Sequence, residues 1–129
     1  MARKGGTDSY RAYRLGRVID FRTGDALKEC QNMADRGETF DFVFLDTFEG
    51  NYPDLFQTCL RLVRPLRIIL IDNVLMQTVR GWTTAENVVE RSYDVFAALR
   101  LTLKMATATE GVTACVIPSG SGLLLAVKN

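Results

Sequence analysis

Two short runs constrain what this chain can fold into. "FDFVFLD" at Phe40–Asp46 and "RIILID" at Arg67–Asp72 are almost wholly apolar, and each ends on a carboxylate. A strand that is apolar at nearly every position, rather than at alternate ones, predicts a sheet covered on both faces. Around these runs the period becomes helical. Ala26, Leu27, Cys30, Met33 and Ala34 form one stripe that stops at Gly37. Leu55, Phe56, Cys59, Leu60 and Val63 form another, closed by Arg64-Pro65. Thr83 with Glu86 fits a capping box opening a long helix through Val88, Val89, Phe96, Leu99 and Leu103. Ahead of these, "RVIDFRTG" (Arg17 to Gly24) predicts a short strand ended by glycine. At the other end "VTACVIP", "SGSG" and "LLLAVKN" predict an antiparallel hairpin. Strands alternating with helices before a hairpin imply an α/β fold with a mostly parallel sheet.

Several function classes drop out on composition. A chain of 129 residues is one domain by length. A net charge of +1 gives no field that selects nucleic acid or a membrane surface. No apolar run approaches the roughly 20 residues a spanning helix needs. The basic start "MARKGGTDSYRAYR" has no apolar segment of the secretory type. Cys30, Cys59 and Cys115 are odd in number and widely spaced, which predicts buried free thiols in a reducing compartment, the cytoplasm. Histidine is absent, which excludes a Ser-His-Asp or Cys-His centre and any His-ligated zinc within these residues.

The acids raise the functional question. In open α/β sheets, ligands sit outside the carboxyl ends of the strands, where Asp46 and Asp72 fall. A strand-end aspartate can also simply accept backbone N–H groups. With Asn73 following Asp72, three oxygen donors can converge on one point, a set that suits Mg²⁺ or Ca²⁺ better than zinc or copper. An α/β receiver-like domain with Mg²⁺-binding acids is a weaker alternative, disfavoured by the "DNV" run and the terminal hairpin.

"TGDAL", "FDFVFLD", "NYPDLFQTCLRLVRP", "IILIDNVL" and "IPSGSGLLLAVK", in that order, resemble the cation-dependent O-methyltransferases, the caffeoyl-CoA and catechol type, from about Val18 to Lys128. The resemblance implies a Rossmann-like fold and methyl transfer from S-adenosylmethionine (SAM) to one hydroxyl of a catechol-like vicinal diol, a small aromatic substrate. It implies Asp46, Asp72 and Asn73 as ligands of Mg²⁺ or another hard divalent cation. Asp25 and Ala26 are implied as residues lining the adenine of SAM, with Asp46 also on the cofactor side. From the residues alone, Asp25 reads equally well as a helix N-cap.

Three departures from the family pattern matter. Relatives begin with helices, a strand leading to a glycine-rich loop for the methionine end of SAM, and a second strand ending on a ribose-binding acid. This chain opens almost at the third strand. The expectation is therefore a single partial methyltransferase domain over 1–129, with 1–16 a flexible basic tail. An uncovered strand edge would then invite a second copy or a complementing chain, and a non-catalytic binding or assembly module is the alternative function. Second, Glu49 stands where many relatives carry a lysine that steers the hydroxyl proton. At an assumed ~5 Å and an effective dielectric of ~20 a unit charge is worth about 3 kcal/mol, so loss or change of activity is the expectation at the catalytic position Glu49, ahead of a role as base, an added metal contact or a solvent-exposed loop acid. Third, "RPLRI" replaces the family's "RPGG", so Leu66 either takes positive φ at roughly 1 kcal/mol or forces another turn. Trp82 falls where the substrate loop begins, Met76 reads as pocket wall or core, and Tyr52 as packing at the start of its helix.

Overall fold

The computed structural model describes residues 18–75 and 85–129, with side chains for 18–75 and 94–129. The order is α1 (Ala26–Asp35), β1 (Phe40–Leu45), a 3-10 turn (Glu49–Asn51), α2 (Tyr52–Leu62), β2 (Val63–Ile71), α3 (Ala85–Ala108), β3 (Val112–Ile117) and β4 (Leu123–Lys128). The strands form one sheet in the order β1-β2-β4-β3. β1 and β2 are parallel, while β4 runs antiparallel to both β2 and β3. The α/β class and the terminal hairpin are as expected, and the described sheet is mixed.

The local signals explain most of these boundaries. Asp25 caps α1 by accepting the Lys28 N–H at 2.9 Å, which is its N-cap reading. The helix stops at Gly37, as the stripe predicts. Pro53 lies in the first turn of α2, where a missing N–H costs nothing. Lys128 Nζ reaches across from β4 to the Leu60 and Val63 carbonyls (3.0 and 3.4 Å), supplying donors at the C-terminal end of α2.

Registration sorts the sheet into two faces. Val43, Ile69 and Ala126 lie side by side, as do Leu45, Ile71 and Leu124. Ile69, Ile71, Leu124 and Ala126 are fully buried, in one core with Leu55, Phe56 and Cys59 of α2 and Val95, Leu99 and Ala106 of α3. Burying a Leu- or Ile-sized side chain is worth about 1.5–3 kcal/mol, so this face carries the fold. Among the described side chains of α3 the buried positions are Val95, Leu99, Thr102 and Ala106, one helical stripe. Thr102 is tolerated there because its hydroxyl donates to the Ala98 carbonyl at 2.8 Å. The Thr83–Glu86 capping box, Trp82 and Met76 lie outside the described residues, as do the side chains of Val88 and Val89.

Three expectations change. The segment Val18–Thr23 is not a strand. Among the described residues the sheet ends at β1, so no further strand stands there for that segment to join as a ladder. The opposite face of the sheet is not covered by the described helices: Phe42 and Phe44 remain 54% and 49% exposed. Finally, Cys115 is exposed, whereas Cys59 is buried and Cys30 half-buried, so not all the thiols are core residues.

At the start of the parallel pair, Phe40 faces Val63 but Phe42 faces Ile68, so Asp41 alone stands opposite Arg64 to Arg67. This bulge holds Pro65 without breaking a ladder. Arg64 and Arg67 both bond the Asp41 carboxylate. Their hydrogen bonds hold its carboxyl below the usual carboxylate range. Asp41 is exposed, so the pairing is a surface interaction of small worth. A depressed carboxyl pKa contributes stability above its unfolded value and loses it as pH falls through the folded one. Asp41→Asn is therefore expected to lower stability at neutral pH, by a deficit that shrinks as pH falls below the ordinary carboxylate range, in paired thermal melts. Leu66, at the tip of the bulge, takes φ 60 and is 71% exposed. Leu66→Gly is expected to stabilise the fold by about 1 kcal/mol, read as a melting temperature higher by a few degrees. A lower one would show that Leu66 makes a contact worth more than its strain.

Candidate active site

The site is built from the ends of the two parallel strands. Leu45 faces Ile71, and the Asp72 N–H donates to the Leu45 carbonyl at 3.0 Å as the last bond of that ladder. Asp46 and Asp72 therefore leave the sheet side by side. Asn73 follows at φ 63, a left-handed conformation to which Asn is better suited than most residues. Its backbone N–H donates to Asp72 Oδ1 at 2.7 Å, which orients that carboxylate. Its side-chain Nδ2 donates to Glu49 Oε1 at 3.3 Å across the 3-10 turn. Glu49, Asp72 and Asn73 are half-buried, whereas Asp46 is exposed.

Beneath them lies Tyr52, fully buried, whose phenol oxygen has no hydrogen-bond partner among the described residues. The backbone of Thr47 is nearby but outside hydrogen-bond geometry. Burial pushes the phenol up to about 12, with smaller contributions from Glu49, Asp46 and Asp72. The hydroxyl is thus neutral at physiological pH. Tyr52 packs at the start of its helix, as the sequence predicts, and directly follows the turn that carries Glu49.

The oxygens left over define what the site can hold. Asp72 Oδ1 and Asn73 Nδ2 are engaged. Among the described residues, both oxygens of Asp46, Oδ2 of Asp72 and Oδ1 of Asn73 accept no hydrogen bond. Two carboxylates and an amide oxygen fit a hard divalent cation that keeps part of its shell for water or substrate. No group of three or more His, Cys, Asp or Glu side chains among the described residues stands close enough to hold a metal. Glu49 therefore does not complete a three-carboxylate cage with Asp46 and Asp72. Asp25 and Ala26 are exposed at the start of α1, with no hydrogen bond or ion pair to this group.

The family model described as O-methyltransferase matches residues 6–129. The chain belongs to that family. Caffeoyl-CoA O-methyltransferase 2 of Zea mays is 33% identical over 119 residues, covering 86% of this chain and 43% of the relative. The caffeoyl-CoA O-methyltransferase of Petroselinum crispum is 30% identical over 115 residues, covering 86% and 47%. Among solved structures, the O-methyltransferase from Bacillus cereus in complex with SAH superposes with a TM-score of 0.72 at 25% identity, over 95% of this chain and 56% of that one. TomG from Streptomyces achromogenes, solved with SAM, gives 0.77 at 21% identity over 98% and 56%, a likeness of fold. The chain spans about half the length of the proteins it matches. No helix among the described residues is long and apolar enough to cross a membrane.

The unpartnered phenol yields a direct test. A buried hydroxyl without a partner costs about 1–3 kcal/mol relative to one that is bonded. Tyr52→Phe removes that hydroxyl and keeps the ring, so the variant is expected to be as stable as the parent protein or up to about 1 kcal/mol more stable. A loss greater than about 1 kcal/mol in denaturant melts would mean that the phenol is engaged by a bound water or neighbouring carboxylate.

Proposed function

We propose that this chain carries the cation-binding half of a SAM- and divalent-cation-dependent O-methyltransferase acting on a catechol-like vicinal diol. The observation that carries the reading is the pair of strand ends. The Asp72-to-Leu45 bond sets Asp46 beside Asp72, with oxygens of Asp46, Asp72 and Asn73 uncommitted. When bound, a divalent cation would supply Lewis acidity that lowers the pKa of an acceptor hydroxyl and a template for both diol oxygens.

The chain's own residues do the rest. Asp46 and Asp72 would provide the negative charge and Asn73 Oδ1 a neutral donor. Glu49 accepts from the Asn73 amide and so fixes which end of that amide faces the strand ends. Its charge would oppose a developing phenolate, by roughly 3 kcal/mol at an assumed ~5 Å and an effective dielectric of ~20, so Glu49 is the position at which activity would be lost or changed. Asp25, whose Oδ1 is occupied by the Lys28 N–H, and Ala26 would line the adenine of SAM. The names of the relatives, caffeoyl-CoA O-methyltransferases, and the SAH in the Bacillus cereus structure support the donor and the acceptor class.

A cation at about ten times its Kd should raise stability by about 1.4 kcal/mol. Mg²⁺ is therefore expected to raise the melting temperature of the parent protein, and Asp72→Ala to abolish that shift. An unchanged shift in Asp72→Ala would place the ion elsewhere. Calorimetric titration with SAM, with and without Mg²⁺, tests the cofactor. Methyl transfer from labelled SAM to a catechol, suppressed by a chelator, is the expected activity. Mg²⁺ binding without any SAM binding would favour the non-catalytic module.

A further inference from the structure

We propose that the turn of the terminal hairpin braces the strand-end group, with Gly122 as the positioning residue for Asp72 and Asn73. The proposal rests on the cation reading above. Beyond Ile71 the chain leaves the sheet, yet it stays tied on both sides. On one side the Asp72 N–H donates to the Leu45 carbonyl at 3.0 Å. On the other, the Val74 N–H donates to the Gly122 carbonyl at 3.1 Å and the Leu75 N–H to the Ser121 carbonyl at 2.8 Å. Asn73, held at φ 63, is the single residue spanning the two sets of bonds. Its side chain then has a fixed origin from which Nδ2 reaches Glu49. β1 and the hairpin turn thus act as two jaws on the segment that carries the oxygen donors.

Gly122 lets the second jaw close. It takes φ +84, and a Cβ there would lie 2.4 Å from Leu75 Cγ, 2.6 Å from its Cβ and 2.9 Å from its Cδ1. A new rotamer of Leu75 does not relieve the contact with its Cβ, because that atom moves only with the backbone. A side chain at position 122 must therefore push residues 74 and 75 away from the turn. Asn73 is bonded into the same segment and would move with them. Gly120 is the internal control. It belongs to the same turn and has a positive φ of +56, but a Cβ there meets nothing within 4 Å. Substitution at 120 strains the turn and leaves the brace alone.

Mn²⁺ is the probe, because its binding is read by electron paramagnetic resonance without any turnover. The parent protein, Gly120→Ala, Gly122→Ala and the double variant Gly122→Ala/Leu75→Gly are titrated, and each is melted without metal. Both single variants are expected to melt at lower temperature. Only Gly122→Ala should weaken Mn²⁺ binding, by about tenfold or more, the size usual for supports of metal ligands. The double variant, which removes the obstructing Cβ, should recover most of the affinity. Equal affinity for Gly122→Ala and the parent, or equal weakening by Gly120→Ala, overturns the brace and leaves the cation reading intact. No Mn²⁺ binding by the parent protein overturns the cation reading itself, and the brace with it. If Gly122→Ala does not fold, amide exchange on the parent protein decides. Saturating Mg²⁺ should slow exchange at Val74 and Leu75 and leave the Gly120 amide unchanged. Unaltered exchange at Val74 and Leu75 refutes the proposal.

Discussion

The parallel pairing of β1 with β2 is the constraint on which the structure depends, because it ends both strands at the same level. From Phe42 against Ile68 to Leu45 against Ile71 the register is unbroken, and its last bond joins the Asp72 N–H to the Leu45 carbonyl. Parallel strands alternate faces in step, so this one register buries Ile69 and Ile71 against α2 and α3 and delivers Asp46 and Asp72 to one end of the sheet. A slip of one residue would turn both sets over and expose the core. The irregularity needed to absorb extra residues is placed at the opposite end, where Asp41 faces Arg64 to Arg67. Distortion is thus kept away from the acids.

The site inherits its order from packing as much as from hydrogen bonds. Tyr52, Leu55, Phe56 and Cys59 occupy the buried side of α2, and the turn bearing Glu49 runs directly into that helix. Glu49 is therefore tied to the core by Tyr52, whose ring is fully enclosed, and by the packing of its turn against α3. On the other flank the hairpin turn meets residues 74 and 75. The strand-end group stands between two elements that are each anchored in the core, which is how a few side chains come to share one geometry.

Much of this was legible in the sequence, because the strongest signals were local ones. The two apolar runs, the helical stripes from Ala26 and Leu55, the Gly37 stop and the glycine-rich hairpin each specify an element through their own residues. Leu66 in place of glycine left a positive φ or another turn type open, and the structure takes the first, at φ 60. What was not legible depends on partners distant in sequence. "RVIDFRTG" has the composition of a strand, but a strand exists only beside another, and the described sheet has none there. In "SGSG" nothing distinguishes Gly122 from Gly120, since only the fold sets Leu75 against one of them. Likewise the Asn73–Glu49 bond joins residues 24 apart in the chain and has no spacing rule behind it.

The central claim is that Asp46, Asp72 and Asn73 share one divalent cation. The direct measurement is anomalous diffraction from crystals grown with Mn²⁺, recorded for the parent protein and for Asp72→Ala. One anomalous peak is expected at the carboxyl ends of β1 and β2, about 2.0–2.6 Å from side-chain oxygens of all three residues, and its loss in Asp72→Ala. A peak elsewhere, or one that persists in Asp72→Ala, would contradict it.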